Sequence, residues 1–172
     1  MTDLEMLNAF SIPLYEALKG PGAFLTAGAD KPNTMTIGWA TVGIVWSLPI
    51  VTVLVRHSRY THEAIESGDA FTVSVPHPGQ MKRELAYLGT KSGRDGDKYA
   101  AMGLSLLPGR KVPTPVIAGC QIHAECRILY KQSLDPLLLD EAVNQRVYVK
   151  QSRPWDYHSV YYGQLLDVYQ EK

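Results

Sequence analysis

Two polar stretches carry the side chains best suited to holding an anion. The first, residues 56–61, follows an apolar run and precedes a predicted helix, and it contains Arg56, Ser58, Arg59 and Thr61. Guanidinium groups, hydroxyls and the N–H groups of a helix start are the donors that a phosphate monoester requires. The alternative is a solvated loop whose arginines pair with surface carboxylates.

The second stretch, residues 91–98, is rich in glycine and carries Lys91, Arg94 and Lys98 together with the hydroxyl of Ser92. Taken alone, it is more typical of an ordinary solvated loop than of a binding site. Together the two stretches predict a local positive site in an otherwise neutral protein. Such a site suits a small dianion and is too small for a nucleic-acid backbone.

A third segment of interest is residues 33–39, which alternates in the manner of a strand. Thr34 and Thr36 fall on one face, and Met35 falls on the other, together with Trp39. A flat heteroaromatic ligand lying along this strand would take hydrogen bonds from its backbone and hydroxyls. The alternative is that Met35 and Trp39 belong to the apolar core.

Composition limits the class of protein. Among 172 residues, lysine plus arginine and aspartate plus glutamate both number 17, so the formal net charge is zero. That balance argues against a nucleic-acid or anionic-membrane partner. The acidic start, residues 1–5, has no apolar run behind it, and no stretch reaches the roughly 20 apolar residues of a membrane helix. We therefore expect one cytoplasmic domain over residues 1–172 with no membrane partner.

Metal sites are not predicted. His62 begins a pattern typical of zinc proteases, but Glu66 stands where the second histidine must lie. Cys120 and Cys126 are the only cysteines, which are too few for a four-cysteine zinc site. We expect both to be apolar core residues.

The intervening elements are mostly strands, because Val, Ile, Thr and Tyr dominate the apolar segments. Strands are predicted over residues 23–27, 34–45, 50–55, 71–75, 120–130 and 159–169, with a bend allowed at Gly38 or Gly43 in the second of them. Helices are predicted over 58–67 with Ser58 as N-cap, over 80–88 and over 97–102. In 120–130, alternation predicts one apolar and one polar face. Six or seven strands with few helices indicate a closed antiparallel barrel with helical insertions.

Three motifs in this order resemble the flavin reductase-like family of FMN-binding split barrels, in particular its flavoredoxin-type branch. They are Asn33-x-Met35-Thr36-x-Gly38-Trp39, Arg56-x-Ser58-x-x-Thr61 and Ser92-Gly93-Arg94-Asp95-x-Asp97-Lys98. A weaker match is His158 followed by Gly163. The third motif is the most specific, and the resemblance extends from about residue 19 to residue 169.

The resemblance implies a mainly β fold, a six-stranded antiparallel Greek-key split barrel with short helical insertions. It also implies a homodimer with one FMN per subunit near the interface. By position, Thr34, Met35 and Thr36 would run along the isoalloxazine ring, near Trp39. Phosphate contacts would come from Arg56, Ser58 and Thr61, with closure of the phosphate or ribityl chain by Lys91, Ser92 and Lys98.

On this basis the sequence predicts a flavin-dependent oxidoreductase, either an NAD(P)H-dependent flavin reductase or a flavoredoxin-type electron carrier. NADH or NADPH would pass hydride to flavin N5, and no acid or base in the protein is obligatory for that step. His158 is a candidate at the open face of the ring, or else a structural histidine. The alternatives are a non-enzymatic FMN-binding module for storage or sensing, and a barrel that binds another anion or serves only as an interaction domain.

Overall fold

The computed structural model describes residues 1–150 and 154–171. The strands are β1 Ala23–Ala27, β2 Asn33–Ile37, β3 Ala40–Val45, β4 Leu48–Arg56, β5 Ala70–Val75, β6 Leu106–Leu107, β7 Val116–Ile117, β8 Ile122–Ser133 and β9 His158–Tyr169. The helices are α1 Asp3–Lys19, α2 Tyr60–Glu66, α3 Lys82–Thr90, α4 Lys98–Met102 and α5 Glu141–Asn144. A 3-10 turn covers Pro136–Leu138, and a π-helical turn covers Gln145–Val149.

Seven strands form one antiparallel sheet in the order β2-β1-β5-β8-β9-β4-β3. The short strands β6 and β7 form a separate antiparallel pair. β2 also contacts β4, which is not its neighbour in the sheet order, so the sheet curls back on itself. The prediction of a mainly β antiparallel fold with short helices is confirmed, and the main sheet has one strand more than the six expected.

Helix α1 was not among the predicted elements, and its N-terminus carries a clear local signal. The Thr2 hydroxyl accepts from the backbone N–H of Glu5, and the Glu5 carboxylate accepts from the backbone N–H of Thr2, so a capping box begins the helix. Met6, Phe10 and Leu14 follow at four-residue spacing and are buried. The helix packs this face against strands of the main sheet.

The long strand predicted over 34–45 is wrong, because the chain breaks at Gly38 and Trp39 into β2 and β3. These two strands lie at opposite edges of the main sheet. Gly38 is one of the two positions at which the sequence allowed a bend, but β-branched composition is the same on both sides of it, so propensity did not show that the strand ends there. The break leaves β2 hydrogen-bonded to a neighbouring strand on one side only.

The helix boundaries also shift from those predicted. Arg59 is the N-cap of α2, without a side-chain capping bond. The Ser58 hydroxyl, predicted as the cap, donates instead to Asp156 at 2.5 Å. Helix α3 begins at Lys82 and ends at Thr90, two residues later at each end than expected. Asp97 caps α4 by accepting from two backbone N–H groups.

Strand β8 lacks the exposed polar face that its alternation predicted at its N-terminal end. His123 and Glu125 are both fully buried. The Glu125 carboxylate accepts from the backbone N–H groups of Arg110, Lys111 and Val112, and the Tyr169 hydroxyl also donates to it. A loop over residues 108–115 thus covers this face and supplies three of the four hydrogen bonds that compensate the burial of the carboxyl group. Among the described residues, no helix is long and apolar enough to cross a membrane.

Candidate functional site

The two basic stretches converge on one cavity of about 370 Å³. That volume lies within the range of about 300–1,000 Å³ that small-molecule sites occupy. Its lining residues are Asn33, Met35, Arg56, Ser58, Arg59, Tyr60, Thr61, Leu88, Gly89, Thr90, Lys91, Ser92, Gly93, Arg94, Lys98 and Asp156. The lining thus contains five cationic side chains and one carboxylate. Of the predicted site residues, seven line the cavity: Met35, Arg56, Ser58, Thr61, Lys91, Ser92 and Lys98.

Arg56 enters the cavity because it is the last residue of β4. The preceding run, Ile50–Val55, is β-branched and almost wholly buried, so the strand is anchored in the core. The guanidinium donates to the backbone carbonyls of Asp156 at 2.7 Å and Val147 at 3.4 Å. It also lies 5.2 Å from the centre of the Tyr148 ring. No described carboxylate forms an ion pair with Arg56, so its positive charge is oriented but not cancelled.

Lys98 is the most deeply buried cation of the site, with 5% of its surface exposed. Its Nζ donates to the Thr34 carbonyl at 2.5 Å and to the Lys91 carbonyl at 3.5 Å. Burial and, to a smaller extent, the charge of Arg59 lower the pKa of Lys98 to about 8. The amine is therefore hydrogen-bonded to the strand predicted to bind the ligand. Burying its positive charge costs free energy unless an anion lies nearby.

The loop 91–97 packs closely against the first basic stretch. A Cβ at Gly93 would lie 2.2 Å from Asn33 Oδ1 and 2.8 Å from Tyr60 Cδ1, so only glycine fits. Asn33 in turn donates to the Thr61 hydroxyl at 2.7 Å. Arg94 donates to the Ser58 carbonyl and forms an ion pair with Glu63. These contacts bring the two stretches together at one cavity.

Thr34 and Thr36 are placed beside the cavity but do not line it. The Thr34 hydroxyl shares hydrogen bonds with Thr26 and Tyr99, and the Thr36 hydroxyl donates to the Leu85 carbonyl at 2.6 Å. Their side chains therefore fasten β2 to its neighbours. What this strand can offer a ligand is the side chains of Asn33 and Met35 and the backbone of its open edge.

Trp39 and His158 also lie outside the cavity lining. Their rings contact each other, with centroids 5.1 Å apart, and Trp39 is 46% exposed. The Tyr148 hydroxyl bonds His158 Nδ1 at 2.8 Å. Burial, and then the charge of Arg56, lower the pKa of His158 to about 4, so the imidazole is neutral at physiological pH. These contacts orient the His158 ring.

Several lining residues were not in the predicted set. Arg59, Tyr60, Gly93 and Arg94 lie within the stretches that the motifs identify, and their loop positions were a usable signal. Asp156 had no such signal, because its side chain bonds Ser58, which is 98 residues away in sequence.

Within residues 1–150 and 154–171, no group of three or more His, Cys, Asp or Glu side chains is placed to hold a metal ion.

The donor set fits a phosphate monoester attached to a larger apolar group. Arginine, lysine and hydroxyl donors line the cavity, and Met35 and Leu88 supply apolar surface in it. The charges of Arg56 and Lys98 are directed by carbonyl oxygens rather than neutralised by carboxylates. An anion would therefore gain charge-assisted hydrogen bonds without breaking an ion pair at these two residues.

Comparison with known proteins agrees with these observations. Residues 15–172 match the sequence model of the flavin reductase like domain. A protein of Archaeoglobus fulgidus is 35% identical over 105 residues, which is 61% of this chain and 58% of that protein. The chain therefore matches less than two thirds of that relative's length.

Two solved structures share the fold. Flavoredoxin of Desulfovibrio vulgaris (Miyazaki F) aligns with a TM-score of 0.65 at 25% identity, covering 88% of this chain and 70% of that one. Flavoredoxin from Methanosarcina acetivorans aligns with a TM-score of 0.64 at 25% identity, covering 87% and 68% of the two chains.

The lowered pKa of Lys98 predicts a pH-dependent stability. In the unfolded chain this pKa is near 10.5, so between pH 8 and 10.5 the unfolded state binds more protons than the folded state. The free energy of unfolding of the ligand-free protein should rise across this window, relative to Lys98→Met, by about 1–3 kcal/mol. Urea unfolding of both proteins at several pH values measures it.

Lys31→Met, at an exposed lysine in the turn between β1 and β2, is the matched control. Its profile should run parallel to that of the wild type. A Lys98→Met profile that also runs parallel to the wild type would contradict the lowered pKa.

Proposed function

This chain belongs to the flavin reductase-like domain family, and from that premise we propose that its cavity binds FMN and that the protein is an NAD(P)H-dependent flavin oxidoreductase. The observation that carries the proposal is the convergence of residues 56–61 and 91–98 on one cavity. A flavin mononucleotide combines a dianionic phosphate with a flat apolar ring. The cavity offers a donor set for the first and apolar side chains for the second.

The phosphate end is assigned to Arg56, Ser58 and Thr61, which all line the cavity. Lys91, Ser92 and Lys98, which line the same cavity, are assigned to the closure of the phosphate or the ribityl chain. Arginine and hydroxyl donors recognise phosphate oxygens by charge-assisted hydrogen bonds. The burial of Lys98 supports this assignment, because an anion beside the amine offsets the cost of desolvating its charge.

The ring end is assigned to the open edge of β2. Met35 lines the cavity from this strand, and a strand at a sheet edge has backbone N–H and C=O groups that face away from its single neighbour. Such groups match the alternating donors and acceptors on the pyrimidine edge of a flavin. The hydroxyls of Thr34 and Thr36 take part only indirectly, by holding the strand in position.

When bound, FMN supplies an N5 atom that accepts hydride from a reduced nicotinamide. The chain's own contribution is binding, orientation and electrostatics. Arg56 and Lys98 place positive charge in the cavity, which favours the extra negative charge that accompanies flavin reduction. Hydride transfer to the flavin requires no acid or base from the protein, so the proposal assigns the chain no proton-transfer group.

Removing the phosphate contact of Arg56 should weaken FMN binding. Arg56→Ala loses a charge-assisted contact worth about 1.5–3 kcal/mol, so the dissociation constant for FMN should rise about 10- to 100-fold. Quenching of flavin fluorescence measures the affinity.

Arg127→Ala, at an exposed arginine of β8 that bonds Gln164, is the control and should bind FMN like the wild type. Equal FMN affinities for Arg56→Ala and the wild type would contradict the assignment of Arg56 to the phosphate. A wild-type protein that binds no FMN would contradict the proposed function.

Reduction by nicotinamide is tested in an anaerobic titration of the FMN-loaded protein. Addition of NADH or NADPH should abolish the visible absorbance of the oxidised flavin, because hydride transfer converts it to the reduced form. If dithionite bleaches the protein and neither nicotinamide does, the protein binds FMN for storage or sensing instead.

We also propose that the protein is a homodimer. An aromatic group formed by Trp46, Tyr130 and Tyr162 lies on the sheet surface, with ring centroids 5.7–6.3 Å apart. Trp46 is 58% exposed and Ile44, on the same strand hairpin, is 60% exposed. Exposed apolar groups of this kind are typical of a surface that a partner covers. Tyr157 and Tyr161, by contrast, are buried within the subunit.

If this aromatic group forms the interface, Trp46→Glu should convert a dimer to a monomer, since a buried unpaired carboxylate is costly. Light scattering coupled to size-exclusion chromatography measures the mass. Leu4→Glu, on the exposed side of α1, is the control and should leave the dimer intact. A monomeric wild type would contradict the proposal.

A further inference from the structure

The carboxylate of Asp156 accepts hydrogen bonds from Ser58, a residue that the proposed function assigns to the phosphate. The backbone N–H of Ser58 donates to Oδ1 of Asp156 at 3.0 Å, and the Ser58 hydroxyl donates to Oδ2 at 2.5 Å. Both carboxylate oxygens are therefore engaged by one residue of the phosphate-binding stretch. Asp156 is also the one acidic side chain among the described residues that line the cavity.

The backbone around Asp156 is held by hydrogen bonds that do not involve its carboxylate. The Asp156 carbonyl accepts from Arg56 at 2.7 Å, and the Tyr157 carbonyl accepts from the backbone N–H of His57 at 3.1 Å. Beyond these contacts, β9 continues from His158 and pairs with β4. Three consecutive residues, 56–58, thus bind this turn, and two of the three contacts do not involve the carboxylate. A substitution of the Asp156 side chain should leave the turn in place.

A carboxylate and a phosphate compete in this position for a physical reason. Each is an anion that accepts charge-assisted hydrogen bonds, and the N–H of Ser58 has a single proton to donate. A phosphate that takes the Ser58 donors must displace the Asp156 carboxylate. A phosphate that binds beside it meets a like charge at short range. In either arrangement Asp156 opposes the phosphate.

We propose that Asp156 is a built-in competitor for the phosphate of the flavin, and that it sets the flavin's affinity low enough for exchange with solution. This inference rests on the proposed function and specifies it further, because it makes the flavin a dissociable substrate rather than a permanently held group. The carboxylate keeps the Ser58 donors satisfied when the cavity holds no flavin. It then limits how tightly the phosphate end is held.

The test compares FMN with riboflavin, which has the same ring and no phosphate. Asp156→Asn removes the charge and keeps an oxygen that can accept from the Ser58 N–H. It should bind FMN about tenfold more tightly than the wild type, the scale of one charge-assisted contact, and riboflavin with unchanged affinity. Fluorescence quenching measures both affinities, and stopped-flow mixing should show a matching decrease in the FMN dissociation rate.

Two further variants make the result specific. Asp95→Asn makes the same charge change on the loop 91–97, outside the cavity lining, and should bind FMN like the wild type. Asp156→Ser is a second removal of the carboxylate, for use if Asp156→Asn does not fold. It should also bind FMN more tightly, because the Ser58 donors become available.

The outcomes separate this inference from the function on which it rests. Tighter binding of FMN alone by the Asp156 variants supports competition. Unchanged or weaker FMN binding, in a wild-type background that binds FMN, overturns the role of Asp156 and leaves the proposed function standing. Equal tightening for FMN and riboflavin overturns it as well, since the effect would then not act through the phosphate. A wild type that binds neither flavin overturns the proposed function, and the inference with it.

Discussion

Positive charges placed close together repel one another, and this cavity holds several of them at once. The fold meets that constraint with backbone carbonyl oxygens: Lys98 donates to the Thr34 carbonyl, and Arg56 donates to the carbonyls of Val147 and Asp156. A carbonyl dipole orients a cation without cancelling its charge. The cavity therefore keeps its attraction for an anion, which carboxylate partners would remove.

That arrangement depends on strand order more than on local sequence. β2 lies at an edge of the sheet, so its Thr34 carbonyl is within reach of Lys98 from α4. β4 pairs with β9 in a register that sets Arg56 opposite His158, and the turn before β9 thereby reaches residues 56–58. Gly93 completes the site, since any larger residue would separate the loop 91–97 from Asn33. Topology, register and one glycine thus bring cations from three segments to one place.

Much of the candidate site could be predicted, because its chemistry lies in short contiguous stretches. Cationic and hydroxyl side chains near a strand end or in a glycine-rich loop are visible in the residues themselves, as at Arg56, Ser58 and Lys98. Residues 33–37 were predicted to be extended, but the hydrogen bonds of the Thr34 and Thr36 hydroxyls were not predicted. Alternation showed that Thr34 and Thr36 share a face; it did not show that Thr26, Tyr99 and the Leu85 carbonyl occupy that face.

The residues by themselves determined the β-rich class, most strand positions and the basic stretches, because β-branched runs and Gly or Pro turns act over a few neighbouring residues. Only the tertiary structure decided which polar groups are buried and what they contact. Glu125 reads as an exposed strand residue, yet it is buried beneath a loop about 14 residues away in sequence. Asp156 lies 98 residues from Ser58 and still holds both of its donors. Hydrogen bonds over such separations depend on sheet order and register, and these are properties of the whole chain.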